Sequence, residues 1–128
     1  MRVLLDTHAL LWAVFRTDLL SARARQLVRL QRNEIFVSAA SAWEIATKYR
    51  LGKLPKVQAL IDDFVPAIQS AGYVALQISL EHALHAGRLT ADHKDPFDRM
   101  LAAQAIHENL ALISNDEQFD VFGVRREW

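Results

Sequence analysis

The chain has 128 residues and a mass of 14.5 kDa, a length that suits one domain spanning 1–128 and one principal core. At 52% apolar and 23% charged, it is too apolar for a disordered polymer and too evenly interrupted for a membrane span of about 20 apolar residues. Zero Cys excludes a disulfide framework and a thiolate metal site, and residues 1–20 lack the basic start and long apolar stretch of a signal peptide, so the cytoplasm is the expected compartment.

Fifteen basic and fifteen acidic side chains cancel overall but are unevenly placed. Residues 1–60 carry ten Lys and Arg against four acids, a balance of +6, and residues 61–128 sum to −6. Such asymmetry is compatible with polyanion contact on one face and cation binding on another.

In chain order, Arg2–Leu5 is an apolar run that predicts a buried strand, and Asp6 or Thr7 then stands where it caps a helix starting near Ala9. Ser21 occupies an N-cap position, with Leu20, Ala24, Leu27, Val28 and Gln31 on one helical face. Ile35–Ser38 predicts a second buried strand. The helix after it carries Glu44 in its second turn and ends at Lys48 and Arg50 before Gly52. Because Trp43, Ile45 and Ala46 flank Glu44, that helix is expected to be mostly buried. Val57, Leu60, Ile61, Phe64, Val65 and Ile68 follow helical spacing, Pro66 predicts a kink or a second short helix beginning there, and Gly72 closes the segment. Tyr73–Ile78 predicts a third buried strand, Ser79 the cap of the next helix, and Asp98–Asn109 a helix preceded by Asp95-Pro96-Phe97. Leu110–Ser114 is the last predicted strand, with Asp116 two residues beyond it.

No repeat, low-complexity tract or linker interrupts this alternation, which predicts an α/β fold with a parallel sheet covered on both faces and right-handed crossovers. In such sheets ligands bind beyond the carboxyl ends of the strands. Asp6, Glu44, Asp98 and Asp116 all fall after predicted strands or at helix starts, so four carboxylates from distant stretches can converge on one sheet edge. Each also has a simpler explanation. Asp6, Asp95 and Asp116 suit helix or turn caps, and Glu44 with Lys48 forms an i, i+4 pair worth about 0.3 kcal/mol on an exposed face. A group of four carboxylates is stable when ionised only around strong positive charge. All-oxygen ligation favours Mg²⁺ or Mn²⁺, which activates water for attack on phosphorus, so phosphodiester hydrolysis is the expected chemistry.

Four stretches carry a family likeness: Leu4-Leu-Asp-Thr-His-Ala-Leu-Leu-Trp12, Ser41-Ala-Trp-Glu-Ile-Ala-Thr-Lys-Tyr-Arg-Leu-Gly-Lys-Leu54, His93-Lys-Asp-Pro-Phe-Asp-Arg-Met-Leu-Ala-Ala-Gln-Ala105 and Leu112-Ile-Ser-Asn-Asp-Glu-Gln-Phe119. In order and spacing the chain resembles a PIN domain of the VapC toxin type. The resemblance implies a three-layer α/β/α sandwich with a central, mostly parallel sheet of four to five strands. It further implies an Mg²⁺- or Mn²⁺-dependent endoribonuclease acting on RNA, a cognate antitoxin partner in a type II toxin–antitoxin system, and a homodimer. The family's acidic quartet falls on Asp6, Glu44, Asp98 and Asp116. Asp95 matches a further acid of the subgroup, as support or cap, and Thr7 and Ser114 match hydroxyl positions that support the metal site.

On the residues alone, Asp6, Asp98 and Asp116 are expected as metal ligands, direct or through water, and Glu44 as a ligand or as acceptor of a proton from the attacking water. Arg99, beside Asp98, is placed to steer a phosphate or to pair with a carboxylate. His8, His82, His85, His93 and His107 are expected to be structural, since oxygen ligation removes the need for an imidazole base. Arg25, Arg29 and Arg32 are expected to form a solvated face, and Trp12, Phe15 and Trp43 to lie in the core or an interface. Two alternatives remain. One is a non-catalytic module of the same fold that binds RNA or protein; the other is a phosphatase or receiver-like domain, disfavoured because Asp6-Thr-His8 lacks a second acid two residues on.

Overall fold

Five short strands carry the apolar runs in the computed structural model, which describes residues 1–128: β1 (Arg2–Leu5), β2 (Glu34–Ser38), β3 (Val74–Leu76), β4 (Ala111–Ile113) and β5 (Arg126–Glu127). They form one sheet in the order β3-β2-β1-β4-β5, and every pairing is parallel. The helices are α1 (Thr7–Phe15), α2 (Ala22–Arg29), α3 (Ala39–Arg50), α4 (Gln58–Asp62), α5 (Phe64–Ser70), α6 (Leu80–Arg88) and α7 (Pro96–His107), with 3-10 turns at Thr17–Leu19 and Glu117–Phe122.

Alternation along the strands divides the core. Val3, Leu5, Ile35, Val37, Ala111 and Ile113 face one side, where they pack with Leu10 of α1, Leu27 of α2, Ile45 of α3, Leu60 of α4 and Ile68 of α5. Leu4, Phe36 and Leu112 face the other side, against Leu101, Ala102 and Ala105 of α7 and against Phe119 and Phe122. Each strand residue thus selects its face by parity, and helices cover both faces, giving the expected three layers.

The local signals hold with small shifts. Ser21 accepts from the Ala24 N–H at 2.9 Å, and Ser79 caps α6 through a reciprocal arrangement with His82. Asp95 caps α7 with Pro96 in its first position, so that helix begins two residues before Asp98 and places Asp98 third. The break in the 57–71 segment falls at Asp63 rather than Pro66: α5 starts at Phe64 and Pro66 sits inside its first turn, where its missing N–H leaves no helical bond unmade. β3 is not a buried strand but an exposed sheet edge, and Val74 and Ala75 lie at the surface. α3 is buried on one face only, for Trp43 is 61% exposed and packs edge-on against Phe97 with ring centroids 4.9 Å apart. Phe15 is also exposed, whereas Trp12 lies against the core and Trp128. No helix is long and apolar enough to cross a membrane.

Gly72 follows α5 at φ +78, a conformation that strains any side chain, whereas Gly87 lies within α6 with nothing within 4 Å of where a Cβ would stand. Gly72→Ala is therefore expected to lower stability by about 1 kcal/mol and Gly87→Ala to raise it by about 0.5–1 kcal/mol. Urea denaturation of the pair checks the opposite signs.

Candidate active site

The strand order reverses between β1 and β4: chain connections run outward from β1 to β2 and β3, then return to β4 and β5 on its other side. At this switch point the carboxyl ends of neighbouring strands diverge and open a crevice. Asp6 lies at its floor. Its backbone N–H continues the ladder to the Ile113 carbonyl at 3.1 Å, which fixes it against the end of β4, and its Oδ1 accepts from the Ala9 N–H at 2.7 Å as the cap of α1. The Ser114 side chain stands beside Asp6, and its Oγ also accepts from the Asp116 N–H at 3.0 Å. Arg126 of β5 grips the Ser114 carbonyl at 3.1 Å while pairing with Asp120.

The other acids arrive from helices. Glu44 projects from α3, almost wholly buried; Thr7 Oγ1 donates to its Oε1 at 2.6 Å, and Lys48 Nζ donates to its Oε2 at 2.5 Å. Thr7 Oγ1 also contacts Ser41 Oγ at 3.1 Å, so the start of α1 is knitted to α3. Asp98 Oδ2 meets His93 Nε2 at 2.9 Å. Asp95 Oδ1 accepts from the N–H groups of Phe97 and Asp98, and Asp116 Oδ1 accepts from the Gln118 N–H. Capping and convergence are thus properties of the same residues rather than rival explanations.

Asp6, Glu44, Asp95, Asp98 and Asp116 line one cleft of about 360 Å³ together with Thr7, His8, Lys48, His93, Gln118 and Phe119. The crowding has an electrostatic cost. Burial pushes the Asp6 carboxyl above its usual range, with the Glu44 charge adding to it and the Ser114 and Ala9 donors opposing. Burial likewise lifts Asp98 to about 6; His93 works against the shift, and the charges of Asp95 and Glu44 reinforce it.

No three of the His, Asp and Glu side chains yet stand close enough together to hold one ion. The reason is visible in their partners, since Lys48 draws Glu44, His93 draws Asp98, and backbone donors take an oxygen of Asp6 and of Asp116. The donor set nevertheless suits a hard divalent cation. It offers five carboxylates against one ammonium, and burial, with neighbouring carboxylate charge adding to it, raises the carboxyls of Asp6 and Asp98.

Arg99 does not enter the cleft, contrary to expectation. Its guanidinium makes five hydrogen bonds to backbone carbonyls, two to Ala86 and one each to Leu89, Ala91 and His93, so it staples the end of α6 to the segment that leads into α7. With every N–H engaged it neither steers a phosphate nor pairs with a carboxylate. Lys48 and His93, by contrast, belong to the cleft. The i, i+4 spacing from Glu44 was the available signal for Lys48; His93 had only its nearness to Asp95 and Asp98. His8 lines the cleft as well, so two of the five imidazoles expected to be structural stand there; His82 is buried, its Nδ1 accepting from the Ser79 N–H and its Nε2 lying 3.2 Å from Glu108. Arg29 and Arg32 are solvated, while Arg25 folds back to donate to the Leu20 carbonyl.

A family model described as PIN domain matches residues 3–124. Ribonuclease VapC16 of Mycobacterium tuberculosis is 41% identical over 61 residues, a stretch that covers 48% of this chain and 43% of that relative, so the match spans less than half of its length. Among solved structures, the fold is similar to VapBC2 of Rickettsia felis bound to a promoter DNA fragment, at TM-score 0.73 and 19% identity over 99% of this chain and 98% of that one. It is similar also to a toxin–antitoxin complex from Klebsiella pneumoniae, at TM-score 0.58 and 18% identity over 91% and 89% of the two chains.

Two outcomes test these assignments. Arg99→Lys retains the charge but not the fork, and is expected to cost about 2–4 kcal/mol in urea denaturation; an unmoved midpoint would return Arg99 to the candidate ligand contacts. Asp98 carries a raised pKa in the folded state, so its ionisation has no effect on stability below about pH 4, lowers it progressively between about pH 4 and 6, and exerts its full cost above about pH 6. In chelator, Asp98→Asn is expected to gain about 1 kcal/mol at neutral pH, after allowance for partial exposure, and nothing in acid. Thermal melts at the two pH values read the difference.

Proposed function

Because the chain belongs to the PIN domain family, we propose that its acidic cleft is the active site of a divalent-metal-dependent endoribonuclease, and that the protein is the VapC-type toxin of a type II toxin–antitoxin pair. The observation that carries the proposal is the meeting of Asp6, Glu44, Asp98 and Asp116, from four separate stretches, in one cleft at the switch point of the sheet. The VapC resemblance of the motifs around these acids, the ribonuclease name of the Mycobacterium tuberculosis relative and the similarity of fold to VapBC2 support it.

Asp6, Asp98 and Asp116 would hold Mg²⁺ or Mn²⁺, with Glu44 as a further ligand or as acceptor of the proton lost by the attacking water. The ion, when bound, would acidify that water and neutralise charge on the departing oxygen. The chain's own groups do the rest. Thr7 orients the Glu44 carboxylate while Lys48 pairs with its second oxygen, His93 holds one oxygen of Asp98, and Ser114 sustains the charged form of Asp6 beside it. Attack by water rather than by the ribose 2′-hydroxyl leaves a 5′-phosphate and a 3′-hydroxyl. A cognate antitoxin, a homodimer and a cytoplasmic setting complete the proposal, on the strength of the family resemblance.

Incubation with total cellular RNA, followed by sequencing of the new ends, tests it. Cleavage is expected to require added Mg²⁺ or Mn²⁺ and to stop in excess chelator. Asp6→Asn and Asp98→Ala are each expected to lower the rate about 10²–10⁴-fold. Undiminished cleavage in chelator would contradict the metal requirement, and the absence of any cleavage would favour the non-catalytic binding module.

A further inference from the structure

The nuclease proposal leaves an electrostatic problem that one residue addresses. A phosphodiester strand is anionic, and five carboxylates line the cleft that must receive it. Of the residues around that cleft, Lys48 alone is a formal side-chain cation, since Arg99 is held by backbone carbonyls outside it. Lys48 sits one helical turn beyond Glu44 on α3, and its side chain is 33% exposed where that of Glu44 is 6%. The aliphatic stem therefore lies along the rim while the ammonium reaches inward to Oε2. Glu44 does not depend on it for position, because Thr7 already anchors Oε1. A lysine head with three rotatable donors changes partners readily, whereas an arginine fork locked to a carboxylate does not.

Resting on the nuclease reading, we infer that Lys48 is a substrate-contacting residue. In the cation-free cleft its ammonium is parked on Glu44, and it pairs with a non-bridging phosphate oxygen of the RNA once a divalent cation takes up that carboxylate. Two consequences follow from the exchange. The ammonium competes with the cation for Glu44, so its removal strengthens cation binding. It also contributes one ionic contact to the strand, so its removal weakens RNA binding and lowers the salt dependence.

The test uses the full chain as wild type, Lys48→Gln and Lys48→Arg, with folding checked by circular dichroism. Mn²⁺ is titrated calorimetrically without RNA. An end-labelled, mixed-sequence single-stranded RNA is titrated by fluorescence anisotropy over a range of KCl, with Ca²⁺ replacing Mg²⁺ to keep the strand intact. Lys48→Gln is expected to bind Mn²⁺ about 3–10-fold more tightly, to bind RNA about tenfold more weakly, and to reduce the salt slope by about one contact. Lys48→Arg, whose fork holds Glu44 more firmly, is expected to bind Mn²⁺ no more tightly than wild type and to recover RNA binding only in part. Unchanged Mn²⁺ affinity in Lys48→Gln, or unchanged RNA affinity and salt slope, overturns the inference. A wild type that binds the RNA in this assay yet never cleaves it with Mg²⁺ overturns the nuclease proposal instead, and the anisotropy comparison still decides whether Lys48 meets phosphate.

Discussion

All five strands run in the same direction, and the placement of the site follows from that constraint. A parallel sheet delivers every carboxyl end to one edge, and reversal of strand order between β1 and β4 opens that edge where Asp6 and Ser114 end their strands. The helices that return the chain must start at the same edge, so the N-terminal turns of α1 and α7 bring their capping acids with them. The cleft is a consequence of winding direction before it is a consequence of any particular side chain. Its chemistry is set by what stands at those few positions.

What stands there is charge of one sign, partly desolvated. The protein tolerates it by satisfying each carboxylate separately: a backbone donor for Asp6, Asp95 and Asp116, an imidazole for Asp98, and a hydroxyl with an ammonium for Glu44. These partners keep the acids apart as well as in place, and no three of the side chains stand close enough together to hold one ion. The carboxyls of Asp6 and Asp98 stay raised in spite of these partners, chiefly through burial and to a smaller extent through neighbouring carboxylate charge. The pairings that stabilise these acids one by one are thus also what hold them apart.

Much of this architecture was legible in the sequence, because apolar period and capping chemistry act locally. The strand cores, the caps at Ser21, Ser79 and Asp95, and the run of acids after the strands are all features of short windows. β5 escaped notice because Arg126–Glu127 is short and charged, and it pairs only by virtue of the backbone of β4. The burial of α3 is less than expected because Trp43 and its apolar neighbours belong to two different faces of the helix, a distinction that depends on which partners the helix meets. Arg99 misled for a related reason. Adjacency to Asp98 suggests a ligand contact, but the carbonyls that capture its guanidinium come from residues 86–93, brought round by the α6–α7 turn. Long-range side-chain partners leave no periodic trace.

The Arg99 clamp also bears on how the cleft fails. The carbonyls it holds include that of His93, whose ring secures Asp98, so the clamp links the last turn of α6 to an acid of the cleft through a short stretch of chain. Loosening of that clamp would slacken the backbone under His93 without breaking any pairing of the sheet. One wall of the cleft thus rests on a clamp that lies outside it.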